Sequence, residues 1–168
     1  MFAVPFTVFL YFQIICFDVK GIVAQQIRDN ISDYDWSVWC KFQPNGFDCT
    51  DGEPLQPKFY YDVKMEDCKT FTFGLCGKSK NHFETRNECR DRCQEIGLHE
   101  ARANVSEKIY CRYQPDFGDC NNYHPMFYFD ITQRFCRGFS YSGCGGNLNR
   151  FPNAQICTAV CAGAVEYY

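Results

Sequence analysis

Hydrophobic and polar positions divide this chain into three kinds of segment. Residues 1–17, MFAVPFTVFLYFQIICF, are almost wholly apolar and show no periodicity. Such a run at the start of a chain reads as a secretory signal with its hydrophobic core near residues 4–17. Broken by Pro5 and Gln13, it falls short of the about 20 apolar residues that a membrane helix needs, so no membrane span is expected. Ala24 offers a small residue for cleavage, which makes 1–24 the expected signal peptide and leaves Gln25 as the new terminus. Beyond it, short aromatic runs alternate with polar turns. The aromatics of KFYYD (58–62) and FTFG (71–74) suit a twisted two-stranded hairpin, and MFYFD (126–130) and FSYSG (139–143) are the matching runs of a second. Phe59, Tyr61, Phe71 and Phe73 carry the alternation in the first. Each hairpin is followed by a helix-start signal. Thr85-Arg86-Asn87-Glu88 is a capping box and predicts a helix over 85–93. Asn153, after Pro152, is the expected cap of a second helix. The remaining segments are an acidic and aromatic N-terminal arm (25–39), a polar linker with some helical tendency (94–110) and a short tail (162–168).

Cysteine usage sharpens this picture. Of 13 cysteines, Cys16 lies in the apolar leader. The twelve that remain, an even number in an expected secreted chain, argue for a disulfide framework rather than metal or redox chemistry. They form two sets of six. Cys40, Cys49, Cys68, Cys76, Cys89 and Cys93 are separated by 8, 18, 7, 12 and 3 residues. Cys111, Cys120, Cys136, Cys144, Cys157 and Cys161 are separated by 8, 15, 7, 12 and 3. Four of the five gaps agree, so the chain is an internal duplication of one small module, 40–93 and 111–161. A module of this size buries too little apolar surface to be comfortably stable without crosslinks. Six cysteines allow fifteen pairings, and spacing alone does not choose among them.

Composition narrows function by exclusion. The formal net charge is −3, which does not suit a general nucleic-acid binder. His82, His99 and His124 stand in separate segments and no nucleophile motif is present. No catalytic residue, metal or cofactor is expected, and the chain does not read as an enzyme. Asn30-Ile31-Ser32 and Asn104-Val105-Ser106 are glycosylation sequons.

The cysteine pattern, the aromatic runs, of which 58–62 and 126–130 look like the family's first strand and 71–74 and 139–143 like its second, and the pairs Asn81/Phe83 and Asn149/Phe151 together resemble the Kunitz family, typified by bovine pancreatic trypsin inhibitor. The second module fits the family spacing at every gap; the first departs in one gap, longer by three. The resemblance implies a small disulfide-rich α+β fold, with a twisted antiparallel hairpin, a C-terminal helix and three disulfides in each of two domains. It implies the pairs Cys40–Cys93, Cys49–Cys76 and Cys68–Cys89, then Cys111–Cys161, Cys120–Cys144 and Cys136–Cys157. It also implies serine-protease inhibition by the segment around the second cysteine, which enters the protease cleft as a substrate would. The residue after that cysteine fills the primary specificity pocket, and the next is usually Gly or Ala.

By that correspondence the protease-facing loop of domain 1 is Asp48, Thr50, Asp51, Gly52 and Glu53, and that of domain 2 is Asp119, Asn121, Asn122 and Tyr123. Neither pocket position, Thr50 or Asn121, is the Lys or Arg that trypsin-like pockets require. Asp51 and Asn122 are larger than the residue expected there. Ser142 stands where the family has Gly, while Gly118 is retained. The first loop carries the three-residue excess and the acids Asp48, Asp51 and Glu53, which would be steered toward a basic surface.

Two such modules with atypical pocket residues resemble the two-domain salivary anticoagulants of ticks, similar in role to tissue factor pathway inhibitor. That resemblance implies a monomer that binds factor X or Xa at an exosite and uses it as a scaffold against the factor VIIa–tissue factor complex. Two other readings stand beside it. A channel-blocking toxin would need exposed bases such as Lys78 and Lys80. A platelet or adhesion ligand is disfavoured because no Arg-Gly-Asp or Lys-Gly-Asp sequence occurs.

Overall fold

The structure is a computed structural model, and it describes residues 31–44, 56–73 and 79–165. The expected signal, the sequon Asn30, Lys78 and the whole first protease-facing loop lie outside the described residues.

Each module folds around one hairpin and one helix. In the first, β1 (Gln56–Asp62) pairs antiparallel with β2 (Asp67–Phe73), from Gln56↔Phe73 to Asp62↔Asp67. In the second, β3 (His124–Asp130) pairs with β4 (Phe135–Tyr141), from His124↔Tyr141 to Asp130↔Phe135. The same chemistry closes both turns. Asp62 Oδ1 accepts the N–H groups of Lys64 and Met65 at 3.0 and 2.9 Å. Asp130 Oδ1 accepts those of Thr132 and Gln133 at 3.0 and 2.9 Å. An aspartate that folds back on its own backbone in this way pins a turn. Tyr61 and Phe129 point into their cores and are fully buried. The aromatics of the first hairpin divide between its two faces, and Phe71 packs edge-on against Tyr60, 5.9 Å between ring centres, away from Tyr61.

The helices begin at polar caps. The helix Arg86–Cys93 starts at Thr85, whose hydroxyl accepts the Glu88 N–H at 3.1 Å. Glu88 Oε2 reaches back to the N–H of Glu84 at 3.2 Å, so the box closes one residue before the cap. The helix Ala154–Cys161 starts at Asn153, which accepts the Ile156 N–H at 2.9 Å. Disulfides then tie helix, hairpin and module start together: Cys40–Cys93, Cys68–Cys89, Cys111–Cys161, Cys136–Cys157 and Cys120–Cys144. In the chain-entropy picture a loop as long as Cys40–Cys93 contributes about 4 kcal/mol. Cys49 and Cys76 lie outside the described residues.

Arm and linker also pack. A short helix, Trp36–Trp39, is capped by Asp35, which accepts the Ser37 N–H at 3.0 Å and pairs with Arg102 of the linker at 3.1 Å. Trp36 lies on Phe83, with ring centres 5.5 Å apart. In the linker, a 3-10 turn (Ile96–Leu98) and a short helix (Glu107–Tyr110) form. Gly97 lies so close under the Tyr61 ring that any Cβ there would overlap it. Its carbonyl accepts the buried Lys41 Nζ at 2.8 Å. Burial holds the Lys41 ammonium below its ordinary pKa, opposed by the charge of Asp116. A third apolar cluster, Val38, Phe42, Ile109 and Tyr113, lies between the modules. No helix among the described residues is long and apolar enough to cross a membrane.

Candidate functional site

The segment of the second module that the sequence leads one to expect against a protease is built on Gly118, Ser142 and one disulfide. Gly118 has φ +84, and a Cβ there would overlap the Cys144 carbonyl. Glycine is therefore required for the segment to approach the Cys144 backbone this closely. The Gly118 N–H donates to Asp116 Oδ1 at 3.0 Å, and the Asp119 N–H donates to the Cys144 carbonyl at 3.1 Å. Cys120–Cys144 closes the contact, with Cα atoms 5.4 Å apart.

Ser142, fully buried, braces the segment from behind. Its Oγ accepts the Cys120 N–H at 3.0 Å. Its N–H donates to the Phe117 carbonyl at 2.8 Å, and its carbonyl accepts the Asn122 N–H at 3.0 Å. The serine that replaces a family glycine thus adds a side-chain bond behind the pocket position. The signal in the sequence is a hydroxyl where the family has none, and once buried a hydroxyl must find a partner; which partner it finds depends on the fold.

With its backbone occupied inward, the segment turns its side chains outward. Asp119, Asn121, Asn122 and Tyr123 are all exposed, and Tyr123 is 75% exposed. The structure brings these four residues onto one edge, continued by His124 at the start of β3 and by Tyr141 across from it, ring centres 6.4 Å apart. The Asp119 carboxylate lies against Gly145, where any Cβ would overlap it. Arg150 is the nearby base. Its guanidinium lies 3.8 Å from the centre of the Tyr141 ring and donates to the Gly145 carbonyl at 3.0 Å. It is engaged along the edge and does not stand at the pocket position.

Asp48, Thr50, Asp51, Gly52 and Glu53 lie outside the described residues. Asn104 is exposed in the linker. Lys80, one of the bases a channel blocker would present, has its Nζ 5.5 Å from the Trp39 ring centre, a cation–π contact within the molecule. Among the described residues no group of three His, Cys, Asp or Glu is placed to hold a metal ion.

The sequences of both modules match a known domain family. The family model for the Kunitz/bovine pancreatic trypsin inhibitor domain matches twice, at residues 39–94 and 110–162. Amblin of Amblyomma hebraeum is 36% identical over 128 residues, which cover 76% of this chain and 70% of that protein. Doenitin-1 of Haemaphysalis doenitzi is 32% identical over 124 residues, 71% of this chain and 88% of that protein. A solved structure of Ixolaris, described with its Factor X interaction and a noncanonical mechanism of Kunitz inhibition, shares 27% identity; the match covers 77% of this chain and 98% of that one, with a TM-score of 0.31.

Proposed function

This chain belongs to the Kunitz/bovine pancreatic trypsin inhibitor domain family, as a tandem inhibitor with tick relatives, and from that premise we propose that it is a secreted anticoagulant that grips its target outside the catalytic cleft. One observation carries the reading. The second module keeps a braced, outward-facing segment, yet presents Asn121 and Asn122 where a trypsin-like cleft requires a base and then a small residue. A cleft with an acid at its floor would keep that charge buried and unpaired, at a cost of several kcal/mol. The bracing therefore serves a partner other than an ordinary trypsin-like pocket.

The target is factor X or Xa, bound at a basic exosite by the acids Asp48, Asp51 and Glu53 of the first module. The bound factor is the scaffold on which the second module, through Asn121, Asn122 and Tyr123, reaches the factor VIIa–tissue factor complex. The acidic first loop supports this reading, and so does the two-module layout.

The test is coagulation enzymology with purified components. The protein is expected to slow factor Xa generation by factor VIIa–tissue factor while leaving Xa cleavage of a small chromogenic substrate intact. Replacing Asp51 and Glu53 by Ala is expected to weaken capture of factor X and flatten its salt dependence. Direct block of the small substrate would contradict the mechanism.

A further inference from the structure

Kunitz modules need not touch one another, and a polar linker between two domains ordinarily leaves them free to reorient. Here the two modules meet through positions that correspond in the duplication. Gln43 lies three residues after Cys40, and Gln114 three after Cys111. Both are only 6% exposed.

The contact starts from the buried asparagine of each module. Asn149 Nδ2 donates to the carbonyls of Tyr113 at 2.8 Å and Phe129 at 3.1 Å. Each carbonyl oxygen has a second lone pair, and Gln43 of the other module takes both: its Nε2 donates to Tyr113 O at 2.9 Å and Phe129 O at 2.7 Å. The reverse contact has the same form. Asn81 Nδ2 donates to Phe42 O and Tyr61 O, each at 2.9 Å. Gln114 Nε2 donates to the same two oxygens at 3.1 and 2.8 Å. The glutamine oxygens complete the exchange, Gln43 Oε1 accepting the Ile131 N–H at 3.1 Å and Gln114 Oε1 accepting the Val63 N–H at 3.3 Å.

Their main chains exchange a matching pair. The Gln43 N–H donates to Arg112 O and the Gln114 N–H to Lys41 O, both at 2.8 Å. Phe42 and Tyr113 form an antiparallel bridge between the two glutamine contacts. Residue by residue, the surface that one module offers is the surface it receives, the rule of an isologous two-fold interface.

We propose that Gln43 and Gln114 are positioning residues: a reciprocal lock that joins the modules into one rigid body and fixes the second module's protease-facing edge relative to the first module's hairpin. The lock grips each hairpin beside its turn, at Tyr61 and Val63 and at Phe129 and Ile131. The second module's protease-facing segment joins its hairpin at the other end, before His124. Seven strand residues separate the two ends, roughly 20 Å. The lock therefore sets the second module's edge without covering it. A protein that contacts both modules meets them already oriented, so the second contact carries little further ordering cost.

Residual dipolar couplings on the full disulfide-bonded protein test the lock. The wild type is expected to fit one alignment tensor for residues 56–73 and 124–161 together. Gln43→Glu with Gln114→Glu keeps side-chain shape but turns an oxygen toward each carbonyl now receiving an N–H; Gln43→Ala with Gln114→Ala removes the contact more gently. Both pairs are expected to require two tensors and to tumble faster, while the Asn81 and Asn149 side-chain amide signals persist. Two tensors in the wild type would overturn the proposal. So would one tensor in both variants, and so would loss of either module's own fold in both, which would assign the glutamines to module stability.

Discussion

Across 22 residues of chain, the Cys120 N–H donates to Ser142 Oγ at 3.0 Å, directly behind the position that would enter a protease. The disulfide fixes where Cys120 is; the hydroxyl fixes how its peptide faces. Removing it leaves a backbone donor to seek water in a crowded site. Ser142→Gly is expected to weaken local stability by about 1 kcal/mol, with Cys120 amide exchange roughly fivefold faster. The global melting temperature should move little. An unchanged exchange rate would show that the disulfide alone sets the peptide.

Asn149 is the polar centre of the second module. Its Oδ1 accepts the Phe129 N–H at 2.9 Å, and its Nδ2 serves the carbonyls of Cys111, Tyr113 and Phe129. The residue is fully buried, so water does not replace what a substitution removes. Asn149→Ala is expected to cost about 2–4 kcal/mol, read from calorimetry. Asn149→Asp keeps the acceptor but loses both N–H donors, and it should be at least as damaging at neutral pH. Asn81→Ala is expected to act alike in the first module, where the same four groups recur.

Which of these features can be read along the chain follows from the range of their causes. Hairpins and helices were legible because alternating aromatics and the caps Thr85 and Asn153 act within a few residues. The Asx turns at Asp62 and Asp130 are equally local. The modules' contact was not legible. Gln43 and Gln114 stand before Pro44 and Pro115 and read as polar loop residues, and their partners in the other module lie 51 to 88 residues away. Nor did Trp36–Trp39 show its packing, since four residues carry no measurable period. The second protease-facing segment was legible in composition but not in bracing, because Ser142 draws its meaning from Cys120.

Alkaline pH should loosen the fold through its tyrosines. Burial raises the Tyr61 phenol to about 12, helped by the charges of Glu66, Asp67 and Asp62. Burial, then Asp62, raises Tyr60 further, and burial also raises Tyr113. In the unfolded chain each ionises near about 10. A folded pKa above the unfolded one means stability that is whole below about pH 10 and is lost as pH rises toward the folded values. Lys41 has the opposite sign, its folded pKa being lowered, but above about 10.4 it is neutral in both states and no longer contributes a slope. Melting measured promptly after a pH jump should fall between about pH 10 and 11.5. Tyr61→Phe should flatten part of that fall; Phe129 fills the corresponding place in the second module. A melting temperature flat through this window would refute the assignment.

The strictest test of the second module restores what its sequence lacks. If Gly118, Ser142 and Cys120–Cys144 hold the segment in the shape of a bound substrate, trypsin is refused by the side chains at 121 and 122 rather than by the backbone. Asn121→Lys supplies the charge that the pocket acid requires, and Asn122→Ala removes bulk against the protease wall. Together they are expected to tighten trypsin inhibition by at least roughly a hundredfold, about 3 kcal/mol. Asn122→Ala alone should gain little, because the pocket acid would still lack a partner. A folded double variant that trypsin still ignores would mean that the bracing holds a shape no trypsin-like cleft accepts, and the second module's contact would then have to be sought through Tyr123 and the Tyr141 side of the edge.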